Sequence, residues 1–347
     1  MTIFRPMILI MLAMLPWAGC TQPSRTTNDP TPPSANPSLG TRTVAEDEDG
    51  RSIATEPWLF NGVQGQRIET PNFEIYTTLE NERLRSFLPR FYEASLDQYM
   101  TVFGELPPPP NPLTSFIFGD RRQWMNKTRM MLPEMSGSFE TLGRGGYTYN
   151  AIAVLYDIDK YQWDQDTLRL AAHEGWHQYA QTTFEHQLPP WLDEAIATIF
   201  EGFRFRRGEL RFSPDLNRER RYRLREAVRT DTLIPLQDII ESDPHEALAE
   251  GKSSLLTYYA QVWALARYLN EGEDGKYQAA LRHVLLLAAQ GDLYRQLLRH
   301  AAGDGRPATR DTMAGRRLIE IFFNEDFDAF SAGYDAWIQQ LVRTRSW

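Results

Sequence analysis

Apolar positions along the chain change their period partway. At residues 72–79, Phe73, Ile75 and Tyr76 fall in a β-rich run that predicts a strand. Over residues 82–103, Leu84, Phe87, Leu88, Phe91, Leu96, Tyr99 and Phe103 recur at helical spacing. Prolines 107–110 stop that pattern and form a stiff connector. Residues 113–118 predict a second strand, and residues 121–127 open a short helix. A glycine-rich stretch follows (Gly137, Gly143, Gly145, Gly146), and residues 147–156 then predict a third strand, or a hairpin broken around Asn150. Helical periodicity with polar flanks takes over at 164–184, 192–203, 217–229, 253–269, 276–290 and 327–342. Strands first and helices later predicts an α+β architecture, with a small N-terminal mixed or antiparallel sheet and a mainly helical C-terminal half. No repeat of fixed period is present.

The start of the chain follows neither pattern. Arg5, an apolar run from Met7 to Leu15, and Ala18-Gly19 ahead of Cys20 have the layout of a secretory signal peptide. The small-small-Cys ending resembles the bacterial lipoprotein signal, which implies cleavage before Cys20 and its lipidation; Trp17 departs from the usual Leu or Val there. An ordinary signal peptide with an incidental cysteine is the alternative. Residues 21–55 are rich in Pro, Ser, Thr, Asn and Asp and hold few large apolar side chains, so they read as a disordered tether. The expected organisation is thus a signal peptide at 1–19, a tether at 20–55, an α+β part at 56–160 and a helical part at 161–347. The expected location is the bacterial cell envelope, facing the periplasm or the surface, with the membrane reached through lipidated Cys20. No later run is long and apolar enough to span a bilayer.

Charge and cysteine count narrow the chemistry. A net charge of -9 argues against a dedicated nucleic-acid binder, which needs a basic surface. One cysteine in 347 residues excludes internal disulfides, multi-cysteine metal sites and redox dithiols. A transition metal here must take histidine and carboxylate ligands. The first long helix of the C-terminal half supplies them, because residues 173–177 read His-Glu-Gly-Trp-His. Histidines at i and i+4 lie one above the other on a helix, so both imidazoles reach one ion. Glu174 lies beside them, placed to take a proton from a water rather than to bind the metal. Such a match arises by chance in roughly one chain in a hundred of this composition, so its context decides. The motif sits in an uninterrupted helical pattern with Leu168, Leu170, Ala171, Ala172 and Tyr179 as apolar neighbours. After Pro189-Pro190 a second helix opens and presents Glu194 on an antiparallel return. Two histidines and one glutamate meet the three-ligand count of a catalytic zinc site with one open position. The same set also suits non-haem iron, but that chemistry usually sits on β-barrel strands and leaves Glu174 unexplained.

The pair HEGWHQ and PPWLDEAIATIFE resembles the gluzincin metallopeptidases, and especially the bacterial peptidase-MA-like proteins, whose motifs read H-E-x-x-H-Q and W-L-x-E-G-x-A. Ala195 stands where that pattern has glycine. The resemblance covers about residues 70–270 and is most specific at 173–201. It implies a thermolysin-like fold, Zn2+ held by His173, His177 and Glu194, Glu174 as general base, and a peptide or protein substrate. It further implies a downstream oxyanion donor, for which Tyr259 is the first choice, Tyr258 the second and His245 a third. For each tyrosine, packing in a helical interface is the competing reading.

Glu201, seven residues after Glu194, is either a hydrogen-bond partner for a ligand histidine or a solvated carboxylate. Asp193 reads as a helix-start residue rather than a ligand. The strand at 151–155 is expected to form the cleft rim and to pair with extended substrate, with Gly145-Gly146 allowing a ligand close or simply making a turn. Residues 204–229 hold ten arginines and no lysine and read as a solvated helix with interleaved acids, with anionic polymer or lipid recognition as the alternative. The tryptophans (Trp58, Trp124, Trp163, Trp176, Trp191, Trp263 and Trp337 among them) are assigned to packing. Two other functions stay open: a tethered scaffold with a structural zinc site, closed by His186 or His245, and a zinc hydrolase of a non-peptide bond. Oligomeric state and substrate specificity are not encoded in any of these signals.

Overall fold

Seven strands pair into one mixed sheet. In chain order they are β1 (Thr43–Glu46), β2 (Ser52–Phe60), β3 (Val63–Glu69), β4 (Phe73–Thr77), β5 (Leu113–Phe118), β6 (Tyr147–Tyr149) and β7 (Ile152–Tyr156). In space the order is β1-β2-β3-β4-β5-β7-β6. Strands β1 to β4 form an antiparallel meander, β4, β5 and β7 run parallel, and β6 lies antiparallel at the edge. Parallel neighbours need crossover connections. Helix α1 (Glu82–Thr101) links β4 to β5, and α2 (Arg121–Met131) and α3 (Ser136–Thr141) lead from β5 to the β6–β7 hairpin. Every residue of β5 (LTSFIF) but Thr114 is buried, because both faces of the strand are covered. The computed structural model describes residues 41–47, 49–141, 145–158, 165–241, 252–301 and 315–343. The leader, Cys20, the tether as far as residue 40, Gly143, Trp163 and His245 lie outside the described residues.

Two expectations for the N-terminal half change. The tether does not extend to residue 55, because β1 and the first residues of β2 occupy 43–55 in register, Thr43 opposite Thr55 and Glu46 opposite Ser52. All four side chains of β1 are exposed, so backbone pairing alone builds this strand and no apolar alternation announces it. The sheet is also larger than the three strands read from the pattern. The break at Asn150 is a hairpin turn, with Asn150 and Ala151 both at positive φ, 49° and 60°.

The C-terminal half is helical: α4 (Gln165–Thr183), α5 (Pro190–Phe200), α6 (Arg218–Thr230), α7 (Leu236–Glu241), α8 (Lys252–Glu271), α9 (Gln278–Ala289), α10 (Leu293–Ala301), α11 (Arg316–Phe322) and α12 (Phe327–Arg343). A two-stranded hairpin, β8 (Phe203–Arg206) and β9 (Glu209–Phe212), interrupts them after α5. The arginine-rich stretch is therefore half hairpin and half helix. Helix α5 opens with Pro190 in its first turn, where a missing N–H costs nothing. Every residue from Trp191 to Phe200 is buried, as befits a helix enclosed by α1, α4 and α8. Helix α4 lies between α5 and the β5–β7–β6 end of the sheet. The functional residues sit in that layer. No described helix is long and apolar enough to cross a membrane.

Candidate metal centre

Helix α4 carries its chemistry in two stripes. His173 and His177 point toward α5, and Glu174, Gln178 and Gln181 point toward the sheet; each set follows the i, i+4 (and i+7) spacing of one helical face. Gly175 lies outside both stripes, on the face toward α1. A Cβ there would stand 2.5 Å from Tyr99 Oη, so α1 and α4 approach as closely as they do only because this position has no side chain. Tyr99 Oη in turn donates to the Ala172 carbonyl at 2.6 Å.

The antiparallel return of α5 brings Glu194 against both histidines. His173 Nε2 and His177 Nε2 lie 3.1 Å apart, and Glu194 Oε2 is 3.1 Å from the first and 3.6 Å from the second. Two atoms bound at ~2.0–2.1 Å to a tetrahedral ion lie ~3.3 Å apart, so the three atoms already match three corners of a zinc-sized tetrahedron. His173, His177 and Glu194 are all fully or almost fully buried, and this cluster can hold a metal ion. Among the described residues it is the one group of histidine, cysteine and acidic side chains so arranged. Two carboxylate oxygens at the site, Glu194 Oε1 and Glu174 Oε1, are buried without a hydrogen-bond partner there.

Each histidine is oriented from behind. His173 Nδ1 bonds Glu201 Oε1 at 2.7 Å and His177 Nδ1 bonds Asp193 Oδ2 at 2.9 Å. A proton on Nδ1 leaves the Nε2 lone pair for a metal, as carboxylate partners of ligand histidines generally arrange. Asp193 also accepts from Trp176 Nε1 at 2.7 Å. Glu201 is gripped by Arg220 through Nε at 2.9 Å and Nη2 at 2.7 Å, and by Asn217 Nδ2 at 2.8 Å. Asn217 caps α6 with its side-chain oxygen, so one residue starts the helix and holds the carboxylate. The Arg220 guanidinium stacks on the Tyr259 ring, 4.8 Å from its centroid. That ring stands edge-on to His173.

The electrostatics follow from this wiring. Burial pushes the Glu174 carboxyl up to about 7, although the histidines and the Thr148 hydroxyl act against the rise. Burial also opposes charge on Glu194, but the His177 charge and hydrogen bonds to both histidines outweigh it and hold the carboxylate at about 2. Glu201 is held at about 2 in the same way, with Arg220 as the main opposing charge. Burial works against protonation of His173 and His177, yet the carboxylates around them win and raise both above the ordinary histidine range. The Tyr259 hydroxyl is driven well above its usual range, first by burial and then by Glu194.

His173, Glu174, His177, Glu194 and Tyr259 thus meet in one place. Glu201 supports a histidine, and Asp193, read as a helix-start residue, does the same for the other. His186 packs on Tyr294, away from the cluster. Three readings are corrected. Strand β7 is paired on both sides, so residues 151–155 have no free edge and the rim is β6. Gly146 makes room for β7 and Leu170 rather than for a ligand, because a Cβ there would meet Leu155 Cβ at 3.0 Å and the Val154 carbonyl oxygen at 3.2 Å. Arg220 and Arg221 are buried, so α6 is not a uniformly solvated helix. The residues that sequence reasoning missed are Thr148, Asn217 and Arg220. For Arg220 a signal existed, since with Leu224 and Ala227 it forms the i, i+4, i+7 buried stripe of α6. No protein-family model matches the chain, and searches of curated proteins and of solved structures return no significant match.

Proposed function

We propose that the protein is a zinc-dependent peptidase of the thermolysin-like, gluzincin kind, tethered in the bacterial envelope through Cys20. The observation that carries the reading is the convergence of three ligand atoms at tetrahedral spacing beside a buried carboxylate whose Oε1 has no partner. His173, His177 and Glu194 hold the ion, with Glu201 and Asp193 fixing the imidazole tautomers. A bound zinc ion supplies Lewis acidity, lowering the pKa of a water toward neutrality and polarising a carbonyl. Glu174, buried beside the ligands with Oε1 unpartnered, takes a proton from the attacking water and returns it to the departing amine. Tyr259 remains protonated because it is buried, and it serves as the donor to the developing oxyanion. His186 is occupied elsewhere, and no fourth protein ligand joins the cluster among the described residues, which favours turnover over a closed structural site.

Glu174→Gln is the deciding variant. It should retain one equivalent of zinc and lose hydrolysis of a peptide library by ~10²–10⁴-fold, the usual worth of a general base. Full activity in that variant would overturn the mechanism. Zinc retention with no hydrolysis even in the unaltered protein would move the reading to a scaffold.

A further inference from the structure

The edge strand reaches into the site through one side chain. Thr148 Oγ1 lies 2.8 Å from Glu174 Oε2 and 3.0 Å from the Glu174 carbonyl oxygen. A threonine has a single hydroxyl proton. The carbonyl belongs to the α4 ladder, so the carboxylate is the acceptor in need, and a bond to a charged oxygen is the stronger one. We propose that Thr148 is a positioning residue for Glu174: it engages Oε2, fixes the plane of the carboxylate and thereby selects Oε1 as the atom that accepts the proton. The proposal rests on the reading of Glu174 as general base. The terminal torsion of a glutamate is broad and nearly two-fold, so without this bond the two oxygens exchange freely.

The rest of the hairpin is built to hold that hydroxyl in place. Thr148 pairs with Ala153 of β7, and its branched Cβ restricts χ1. The turn that closes the hairpin puts a non-glycine residue, Ala151, at φ 60°, a conformation that needs outside support. The support comes from α4 itself. Gln181 Oε1 accepts from Ala151 N at 2.9 Å, and Gln178 Nε2 donates to the Ala151 carbonyl at 3.0 Å. Glu174, Gln178 and Gln181 form one stripe, so the helix that presents the base also anchors the strand that orients it.

Thr148→Val removes the hydroxyl at nearly constant volume, and Thr148→Ser keeps it on a looser side chain. With zinc-loaded full-length protein and the peptide library, Thr148→Val should lower kcat roughly 10- to 100-fold, the worth of one hydrogen bond to a charged group, with KM unchanged. Thr148→Ser should recover most of the loss. The second readout needs no activity. The infrared carboxylate band of Glu174, isolated by subtracting the Glu174→Gln spectrum, should shift in Thr148→Val and return in Thr148→Ser. An unshifted band, or Thr148→Val turning over like the unaltered enzyme while Glu174→Gln is inactive, would overturn the role of Thr148 and leave the general base standing. An active Glu174→Gln would instead overturn the general base. If Thr148→Val fails to fold, Thr148→Ala decides: a shifted band and a lowered kcat support the hydroxyl's role, and an unshifted band with unchanged kcat overturns it.

Discussion

Toward the sheet, apart from the Glu174–Thr148 contact, α4 is held by neutral groups. Gln178 accepts from Ser115 Oγ at 3.0 Å and donates to the carbonyls of Thr114 and Ala151, and Gln181 takes the Ala151 N–H. Toward α5 and α6 the same helix is held by charges, through Glu194, Asp193 and Glu201, the last paired with Arg220. The neutral side ends largely on main-chain atoms, so it fixes where the helix sits, whatever the pH or salt. The charged side sets how basic the imidazoles are, and it has to be balanced. Three buried carboxylates (Asp193, Glu194, Glu201) face one buried guanidinium, Arg220, leaving two negative charges in excess. A divalent ion supplies that balance, and so do two imidazolium protons, which is the physical sense of the raised histidine pKa values.

The largest test of this contrast is Arg220→Met. It leaves Glu201 buried without its cation and should cost about 3–5 kcal/mol in denaturant unfolding. Adding Glu201→Leu should recover most of that stability while zinc affinity, read by competition with a chelator, stays ~10–100-fold weaker because His173 has lost its orienting carboxylate. On the neutral side, Gln178→Leu should cost about 1–3 kcal/mol through unpaired carbonyls, at unchanged affinity for zinc once folded. Equal effects of the two changes on affinity would break the distinction.

The smallest effect is a proton count. Both histidines are raised above the ordinary 6.5 in the metal-free protein, so near pH 7 a metal ion entering the cluster must displace up to two protons. Calorimetry in buffers of different ionisation enthalpy should show that release, with affinity falling as pH falls. The sign for folding runs the other way. The stability contributed by the protonated histidines in the metal-free protein is complete below pH 6.5 and is lost as pH rises through their folded values. Binding with no proton release would show that the two ways of balancing charge are not exchanged.

Much of the charged side was readable from the chain, and little of the neutral side was. His173 and His177 announce themselves by i, i+4 spacing, and Glu194 by the helix restart after Pro189-Pro190. The long helices were visible because their apolar stripes persist for several turns. Thr148 was not visible, because its contact with Glu174 depends on how the β6–β7 hairpin lies against α4; the turn, Asn150-Ala151, lacks the usual glycine, so the pattern left a single strand and a hairpin both open. The parallel order β4-β5-β7 was hidden as well, since strand patterns fix faces and not neighbours. Residues 43–46 were misread because a strand with every side chain in solvent carries no periodic signal, and 52–55 because the start of β2 buries only the small Ala54.

The close approach at Gly175 has a consequence for how such a site drifts over evolutionary time. Tyr99 Oη fills the space that any side chain at 175 would claim, and Tyr99 is itself wedged against Trp176, Tyr179 and Phe200. The two positions, 76 residues apart in the chain, are locked as a pair. A lineage can gain a side chain between Glu174 and Trp176 only after it has shortened the residue at 99, so in related sequences the two should change together and in that order.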